Sequence, residues 1–314
     1  MSALIQADRS AYVGQVLDEP ELFEQSVPRR LVHRDAVSEV LLTGFRRSSG
    51  IFRVGVQWPR GHSYYGAVAG RWHDPMLFAE GIRQVGLFLA HQELDVPLGS
   101  HFVTDNTWFT MTEKGARLAD GPANIVLEVA FSEVVRRRGS VTAYAYDVTA
   151  YRDGERIGAG HLSAQVIADR IYRRLRGDRL GARPPAGVPS AVSPRLVGRS
   201  TGFDVVLAPG TPTVLRVDAS HPVLFDHPVD HVPGMVLLEA ARQKALAELG
   251  RPEGLLTDCA AAFTRYVEFN SPCLVKSSPP RRKAAGQYEL AVDFEQEGAV
   301  VGSCRVGIEE GDRP

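Results

Sequence analysis

Two stretches of this chain place a carboxylate, a guanidinium and an amide on one face of a helix. Glu80-x-x-Arg83-Gln84 and Glu239-x-x-Arg242-Gln243 space the three groups at i, i+3 and i+4, so they stand one above another on a helical surface. Both triplets sit in otherwise apolar runs. A charge buried without a partner is costly, which leaves two readings. Either each Glu pairs with its own Arg and fixes the helix, or the triplet lines a cleft and handles protons or anions. That the triplet occurs twice favours the second.

The loops ahead of the triplets are rich in groups that titrate or bind anions. The first holds His62, His73 and Asp74; the second holds His221, Asp226, His227, Asp230 and His231. Such side chains suit acid–base work near neutral pH, although some of these histidines are expected only to hold loops. No metal is expected, because no His-x-x-x-His or Cys-x-x-Cys pair has ligand spacing. No Gly-x-Ser-x-Gly elbow, phosphate loop or dinucleotide fingerprint occurs, so no cofactor is expected. Cys273, in Asn270-Ser271-Pro272-Cys273, is a conceivable nucleophile. The Leu274-Val275 that follows reads as strand, and a buried structural thiol is the favoured reading.

The elements that carry these residues are repeated. At an offset of 159, His62 meets His221, Met76 meets Met235, Glu80 meets Glu239, Arg83 meets Arg242 and Gln84 meets Gln243. The preceding stretches align too: Val54 with Thr213, Val56 with Leu215, Trp58 with Val217. Further on, 146–158 resembles 290–302 at an offset of 144, so the second half is shorter there. Alternation predicts strands at Phe52–Trp58, Ile125–Phe131, Tyr144–Val148 and Ile157–Val166. Asp153-Gly154 and Glu297-Gly298 fit hairpin turns. Helices are expected over 75–92, opened by Asp74 and Pro75, and over 234–248. Both are apolar nearly all round and therefore buried. The reading is an α+β chain of tandem hotdog units, each a long buried helix wrapped by an antiparallel sheet, paired as an intrachain pseudo-dimer. The units are expected over 27–168 and 201–310. Between them, 169–200 is an Arg-, Gly- and Pro-rich linker, read as solvated, with a docking patch as the alternative.

Composition agrees. With about 150 residues per domain, the 314 residues allow two domains or one large one, and the repeat offset, close to half the length, favours two units. There are 36 Lys+Arg against 37 Asp+Glu, a net charge of −1, which argues against a nucleic-acid binder. Only four of the 36 basic residues are lysines, which reads as codon bias. No run is long enough to cross a bilayer as a helix. The first residues, MSALIQADRS, put Asp8 and Arg9 where a signal peptide is apolar, and the three cysteines (Cys259, Cys273, Cys304) form no disulfide framework. A cytoplasmic protein is expected, either a monomeric pseudo-dimer or a homodimer.

The helix start Pro233-Gly234-Met235-Val236-Leu237-Leu238-Glu239-Ala240 resembles that of β-hydroxyacyl-carrier-protein dehydratases. Their histidine is displaced here by about one residue, to Asp226-His227-Pro228. A wider resemblance rests on Leu31-Val32-His33-Arg34, His73-Asp74-Pro75, Val96-Pro97-Leu98-Gly99, Tyr172-Arg173-Arg174-Leu175-Arg176-Gly177-Asp178, Asp230-His231-Val232-Pro233-Gly234-Met235 and Ser271-Pro272-Cys273, together with both triplets. On these motifs the chain resembles the A-factor biosynthesis hotdog (AfsA) family of autoregulator synthases. The resemblance implies transfer of a β-ketoacyl group from acyl carrier protein to the hydroxyl of dihydroxyacetone phosphate. The ester then closes to a phosphorylated butenolide on the way to a γ-butyrolactone or furan-type signal controlling antibiotic production. It also implies functional roles for Glu80, Glu239 and Arg242.

On that footing Glu80 is the first choice of base, with His231 and Asp230 as further catalytic candidates. Arg83 and Arg242 are candidates for the phosphate. Gln84, Gln243, His227, His73, His62 and His221 are candidate substrate contacts. Gly234 offers an oxyanion N–H at the second helix start, whereas its counterpart Pro75 has none, so the two clefts are not equivalent. The alternatives are a hotdog thioesterase or dehydratase acting on acyl thioesters, and a non-catalytic acyl-binding regulator.

Overall fold

The structure is a computed structural model describing residues 19–48, 50–185 and 187–310; the opening segment with Asp8 and Arg9 lies outside the described residues. The repeat appears as two units of like order. In the first, β1 (Leu42–Ser48) and β2 (Ile51–Trp58) precede the long helix α1 (Met76–Glu93). Then come β3 (His101–Met111), one helical turn α2 (Glu113–Ala116), and the strands β4 (Ala123–Arg137), β5 (Ser140–Arg152) and β6 (Glu155–Ile167). Helix α3 (Asp169–Arg176) stands between the units. The second unit has β7 (Leu207–Ala208), β8 (Thr213–Leu215), helix α4 (Gly234–Leu249), β9 (Leu255–Phe263), β10 (Cys273–Ser277), β11 (Arg281–Ala284), β12 (Gln287–Gln296) and β13 (Ala299–Glu309).

All the strands join one antiparallel sheet in the order β1-β2-β4-β5-β6-β3-β9-β13-β12-β10-β8-β7, with β11 on β12. The units meet edge to edge, Asn106 opposite Ala262 and Trp108 opposite Ala260. An edge strand presents unpaired N–H and C=O groups, and here each unit covers the other's edge. Alternation does its expected work: Phe52, Val54, Val56 and Trp58 on β2 and Ile125, Leu127 and Val129 on β4 are all buried. The Asp153-Gly154 and Glu297-Gly298 turns have φ of 50° and 76°, and 52° and 75°, the positive pair that a tight hairpin needs. The stretch aligned with 54–58 is strand only as far as Leu215, short of Val217. There Asp218 accepts from the Ser220 N–H and hydroxyl and bends the chain into a turn. Cys273 opens β10, buried, with its thiol pushed up to about 12 by that burial, as suits a structural side chain.

The two long helices lie almost wholly inside, sharing one continuous core. Asp74 Oδ1 accepts from the Met76 N–H at 2.9 Å, so it stops the first turn of α1 as anticipated. At Gly86 the helix comes so close to β5 that a Cβ would lie 2.4 Å from the Tyr146 hydroxyl. That hydroxyl donates to Ile82 O at 2.6 Å and the ring is fully buried, so it has nowhere to go. Gly86→Ala is expected to lower stability by about 1–3 kcal/mol, read as a shift of the urea midpoint. An unchanged midpoint would mean that Tyr146 yields freely.

Candidate active site

Glu80 is buried in the middle of α1, and its carboxylate is met from three directions. Oε1 takes Arg34 at 2.6 Å, Arg83 at 2.8 Å and the Gln84 amide at 2.6 Å, while Oε2 takes Arg83 at 2.9 Å. Burial alone would raise its pKa, but the two guanidiniums outweigh burial and hold it down to about 2. A carboxylate so well supplied with donors is a weak proton acceptor at neutral pH. Gln84 completes the arrangement by donating to Glu39 O at 2.7 Å and accepting from the Leu41 N–H at 2.9 Å.

The second triplet repeats this almost atom for atom. Glu239 takes Arg199 at 2.8 Å, Arg242 at 2.7 Å and Gln243 at 2.6 Å. Gln243 donates to Asp204 O and accepts from the Val206 N–H, each at 3.0 Å. Arg34 and Arg199 are therefore equivalent residues, as are Glu39 and Asp204. Their offset is 165 rather than 159, and Leu31-Val32-x-Arg34 against Leu196-Val197-x-Arg199 is the sequence trace of it. Reading the helices and the stretches ahead of them at an offset of 159 hid this match. It left Arg34 as no more than part of a motif and placed Arg199 in a linker.

Three divergences break the symmetry. Asp74, whose counterpart is Pro233, bonds Arg242 at 2.8 Å. Tyr64, whose counterpart is Val223, lies buried with its ring 4.1 Å from the Arg199 guanidinium. As a result Arg242 is locked in place with its side chain 6% exposed, whereas that of Arg83 is 24% exposed. Third, α4 starts at an exposed Gly234 where α1 has Pro75, and a Cβ at Gly234 would meet nothing closer than Phe263 at 3.7 Å.

Arg83 looks onto a cavity of about 2260 Å³ that opens between the units. Of the sequence-derived candidates, His227, Asp230, His231 and Gly234 line it as well. Glu80 and Gln84 lie just behind this wall; Glu239, Arg242 and Gln243 do not reach it. Apolar walls from Leu87, Phe102, Tyr144 and Leu162 continue it into the first unit. The His231 Nδ1 lies 2.8 Å from Asp230 Oδ1. The carboxylate thus accepts Nδ1–H and leaves the Nε2 lone pair for the cavity, the orienting arrangement of a general base. Asp230 is itself gripped by α3, with the Tyr172 hydroxyl at 2.6 Å and Arg176 Nε at 2.9 Å. Burial works to raise the Asp230 pKa, but these donors and His231 hold it well below the usual carboxylate range. Arg176 also forks onto Glu268 at 2.7 and 2.8 Å. Two of the supposedly solvated arginines, Arg176 and Arg199, are therefore anchors.

The other histidines hold structure. His62 Nδ1 accepts from the Tyr64 and Tyr65 N–H groups at 3.1 Å, and His221 Nδ1 from those of Val223 and Leu224 at 3.3 and 3.1 Å. His73 is packed 5.8 Å from the Trp58 ring. Among the described residues, no group of three or more His, Cys, Asp or Glu is placed to hold a metal ion, and no helix is long and apolar enough to cross a membrane.

The family model of the A-factor biosynthesis hotdog domain matches residues 17–168 and again 181–308. The chain belongs to the AfsA family. It is 41% identical over 90% of its length to a 2-oxo-3-(phosphooxy)propyl 3-oxoalkanoate synthase from Streptomyces virginiae, of which it covers 97%. It is 35% identical over 88% of its length to a synthase of the same name from Streptomyces coelicolor, covering 89% of that protein. Among solved structures, an acyl-ACP thioesterase from Bacteroides thetaiotaomicron gives a TM-score of 0.45 at 12% identity, over 82% of this chain and 98% of its own.

Within this AfsA-family chain the Asp74–Arg242 pair joins the start of one unit's helix to the middle of the other's. Asp74→Ala leaves two buried guanidiniums, Arg199 and Arg242, to share the single carboxylate of Glu239, and this uncompensated buried charge is expected to cost about 3–5 kcal/mol, read by denaturant unfolding; a cost under about 1 kcal/mol would mean that water repairs the gap. Burial holds His33 and His73 neutral, pushed down to about 3 and about 4. Unfolding frees both to take up protons below about pH 6.5. Stability is therefore expected to fall from pH 6.5 to 5, by up to about 1.4 kcal/mol per unit for each histidine. Thermal unfolding at pH 7 and pH 5 checks it, and equal midpoints would contradict it.

Proposed function

We propose that this chain is a 2-oxo-3-(phosphooxy)propyl 3-oxoalkanoate synthase. It moves a β-ketoacyl (3-oxoalkanoyl) group from acyl carrier protein to the hydroxyl of dihydroxyacetone phosphate, in the cytoplasm. The product is the phosphorylated ester that precedes a butenolide and, from it, a γ-butyrolactone or furan-type signal. One observation carries the reading. A partly open arginine, an Asp-oriented histidine and a helix N-terminus converge on one large cavity with apolar walls. The relatives' names, which specify this ester, agree with it.

Each part has a task. Arg83 meets the phosphate, since its guanidinium matches phosphate oxygens, and Glu80 with Arg34 behind it sets its angle. The Gly234 and Met235 N–H groups at the start of α4, which have no partner within their own helix, hold the thioester carbonyl oxygen as charge builds on it. His231 Nε2 takes the proton from the substrate hydroxyl. That oxygen attacks the thioester carbon, the C–O bond forms, and collapse breaks the C–S bond. The proton then passes from His231 to the departing sulfur. Glu239 and Arg242 brace the pair of helices. Glu80, Glu239 and Arg242 are thus needed through the positions they enforce, and the proton work falls to His231.

Mass spectrometry after mixing the protein with β-ketoacyl carrier protein and dihydroxyacetone phosphate is expected to show the ester; free acid or an enoyl product would instead mark a thioesterase or dehydratase. His231→Gln is expected to lower kcat about 100-fold or more. Arg83→Met is expected to raise KM for dihydroxyacetone phosphate by about 10–100-fold. A His231→Gln enzyme with the normal rate would return the base to another group.

A further inference from the structure

We infer that the exposed face of the inter-unit segment, α3 and the chain on to Val188, is the landing surface for the carrier protein that brings the acyl chain. The inference rests on the acyl transfer proposed above and adds where the donor settles. Twelve large hydrophobic side chains are exposed among the described residues, and five of them, Val37, Leu98, Leu175, Leu180 and Val188, line the cavity mouth. Leu175 is the most exposed of the twelve, at 64%, and Ile171 lies one turn before it on the same face of α3, at 52%. Apolar groups gathered at one opening rather than scattered mark a contact surface.

The charge around them selects the partner. Arg170, Arg173, Arg174, Arg179 and Arg183 are all exposed on this stretch, against Asp169 and Asp178. Arg173 pairs with Asp169 at 2.7 Å and Arg179 with Glu268 at 3.2 Å, which leaves Arg170, Arg174 and Arg183 as the exposed guanidiniums of this stretch outside those pairs. In a chain of net charge −1, so many exposed arginines beside one opening are a local feature rather than a reflection of composition. They fit a small acidic protein. The reacting groups lie inside the cavity, so an acyl chain delivered on a flexible thioester arm requires its carrier to rest at the mouth. The same segment grips Asp230 from its buried side through Tyr172 and Arg176, which puts the landing surface and the catalytic loop on opposite faces of one short helix.

The test compares two donors, β-ketoacyl carrier protein and the same acyl group on pantetheine, with a variant carrying Arg174→Glu, Leu175→Asp and Arg183→Glu. KM for the carrier-borne donor is expected to rise about tenfold or more, with kcat and turnover of the pantetheine thioester unchanged. Added salt should weaken wild-type use of the carrier and have little effect on the variant. Titration of fluorescently labelled carrier reads the same contact without turnover, with the variant binding about tenfold more weakly. An unchanged KM and affinity for the carrier would overturn the inference, as would an equal loss with both donors. Self-association that the variant abolishes while carrier use stays normal would assign the surface to a second copy of the chain, and would overturn it too. A wild-type protein that transfers from neither donor would instead defeat the acyl-transfer reading beneath it.

Discussion

A carboxylate buried at the middle of a helix has to be met by donors from outside that helix, and this demand organises both units. Glu80 and Glu239 each draw an arginine from the chain ahead of the first strand and a second arginine and a glutamine from their own helix. The glutamine is then fixed by backbone at the same place in both units. The segment that would otherwise be a loose lead-in is thereby fastened to the core. An unpaired charge there would cost several kcal/mol, so loss of any one member is felt by all the others. The triplet is a register device first, and its chemistry depends on which of its arginines still has an edge free.

Duplication made two such clusters, and small divergences gave them different work. Asp74 and Tyr64 close the second: the acid pairs with the open edge of Arg242, and the ring occupies space that Val223 leaves clear on the other side. The first cluster has neither, so Arg83 remains available to the cavity. The Pro75–Gly234 difference acts in the same direction, since the helix that keeps its N-terminal donors, α4, is the one facing that cavity. The closed cluster still has work to do, because the Arg242–Asp74 bond crosses between the units. A pseudo-dimer inside one chain can specialise in this way, whereas identical subunits related by symmetry must change both sites at once.

Much of this was legible in the residues. Strand alternation, the hairpin turns and the two buried helices follow from local patterning, and helix ends fell within a residue of where the cap residues put them. The inequality of the two helix starts, Gly234 against Pro75, was legible too, and it is at the Gly234 start that Arg83 meets His227, Asp230 and His231. What stayed hidden were partners brought in from far along the chain. Arg34 and Arg199 reach their glutamates across 46 and 40 residues, and Tyr172 reaches Asp230 across 58. An arginine that anchors and an arginine that floats in solvent look alike in a sequence, so 169–200 read as a linker. The direction of Glu80 was hidden for the same reason. A carboxylate on an apolar helix looks like a base until the guanidiniums that neutralise it are known.

The nearly even charge total acquires a physical meaning from this arrangement. Many of its charges cancel inside: Arg34 and Arg83 against Glu80, Arg199 and Arg242 against Glu239 and Asp74, Arg176 against Asp230 and Glu268. Such pairs are screened little by salt and set geometry. The arginines left exposed beside the cavity are screened strongly and act at a distance. Salt should therefore separate the two populations, weakening whatever approaches the mouth while leaving the arrangement within the cavity intact. A single net charge of −1 thus conceals two separate electrostatic devices, one that shapes the site and one that faces outward from it.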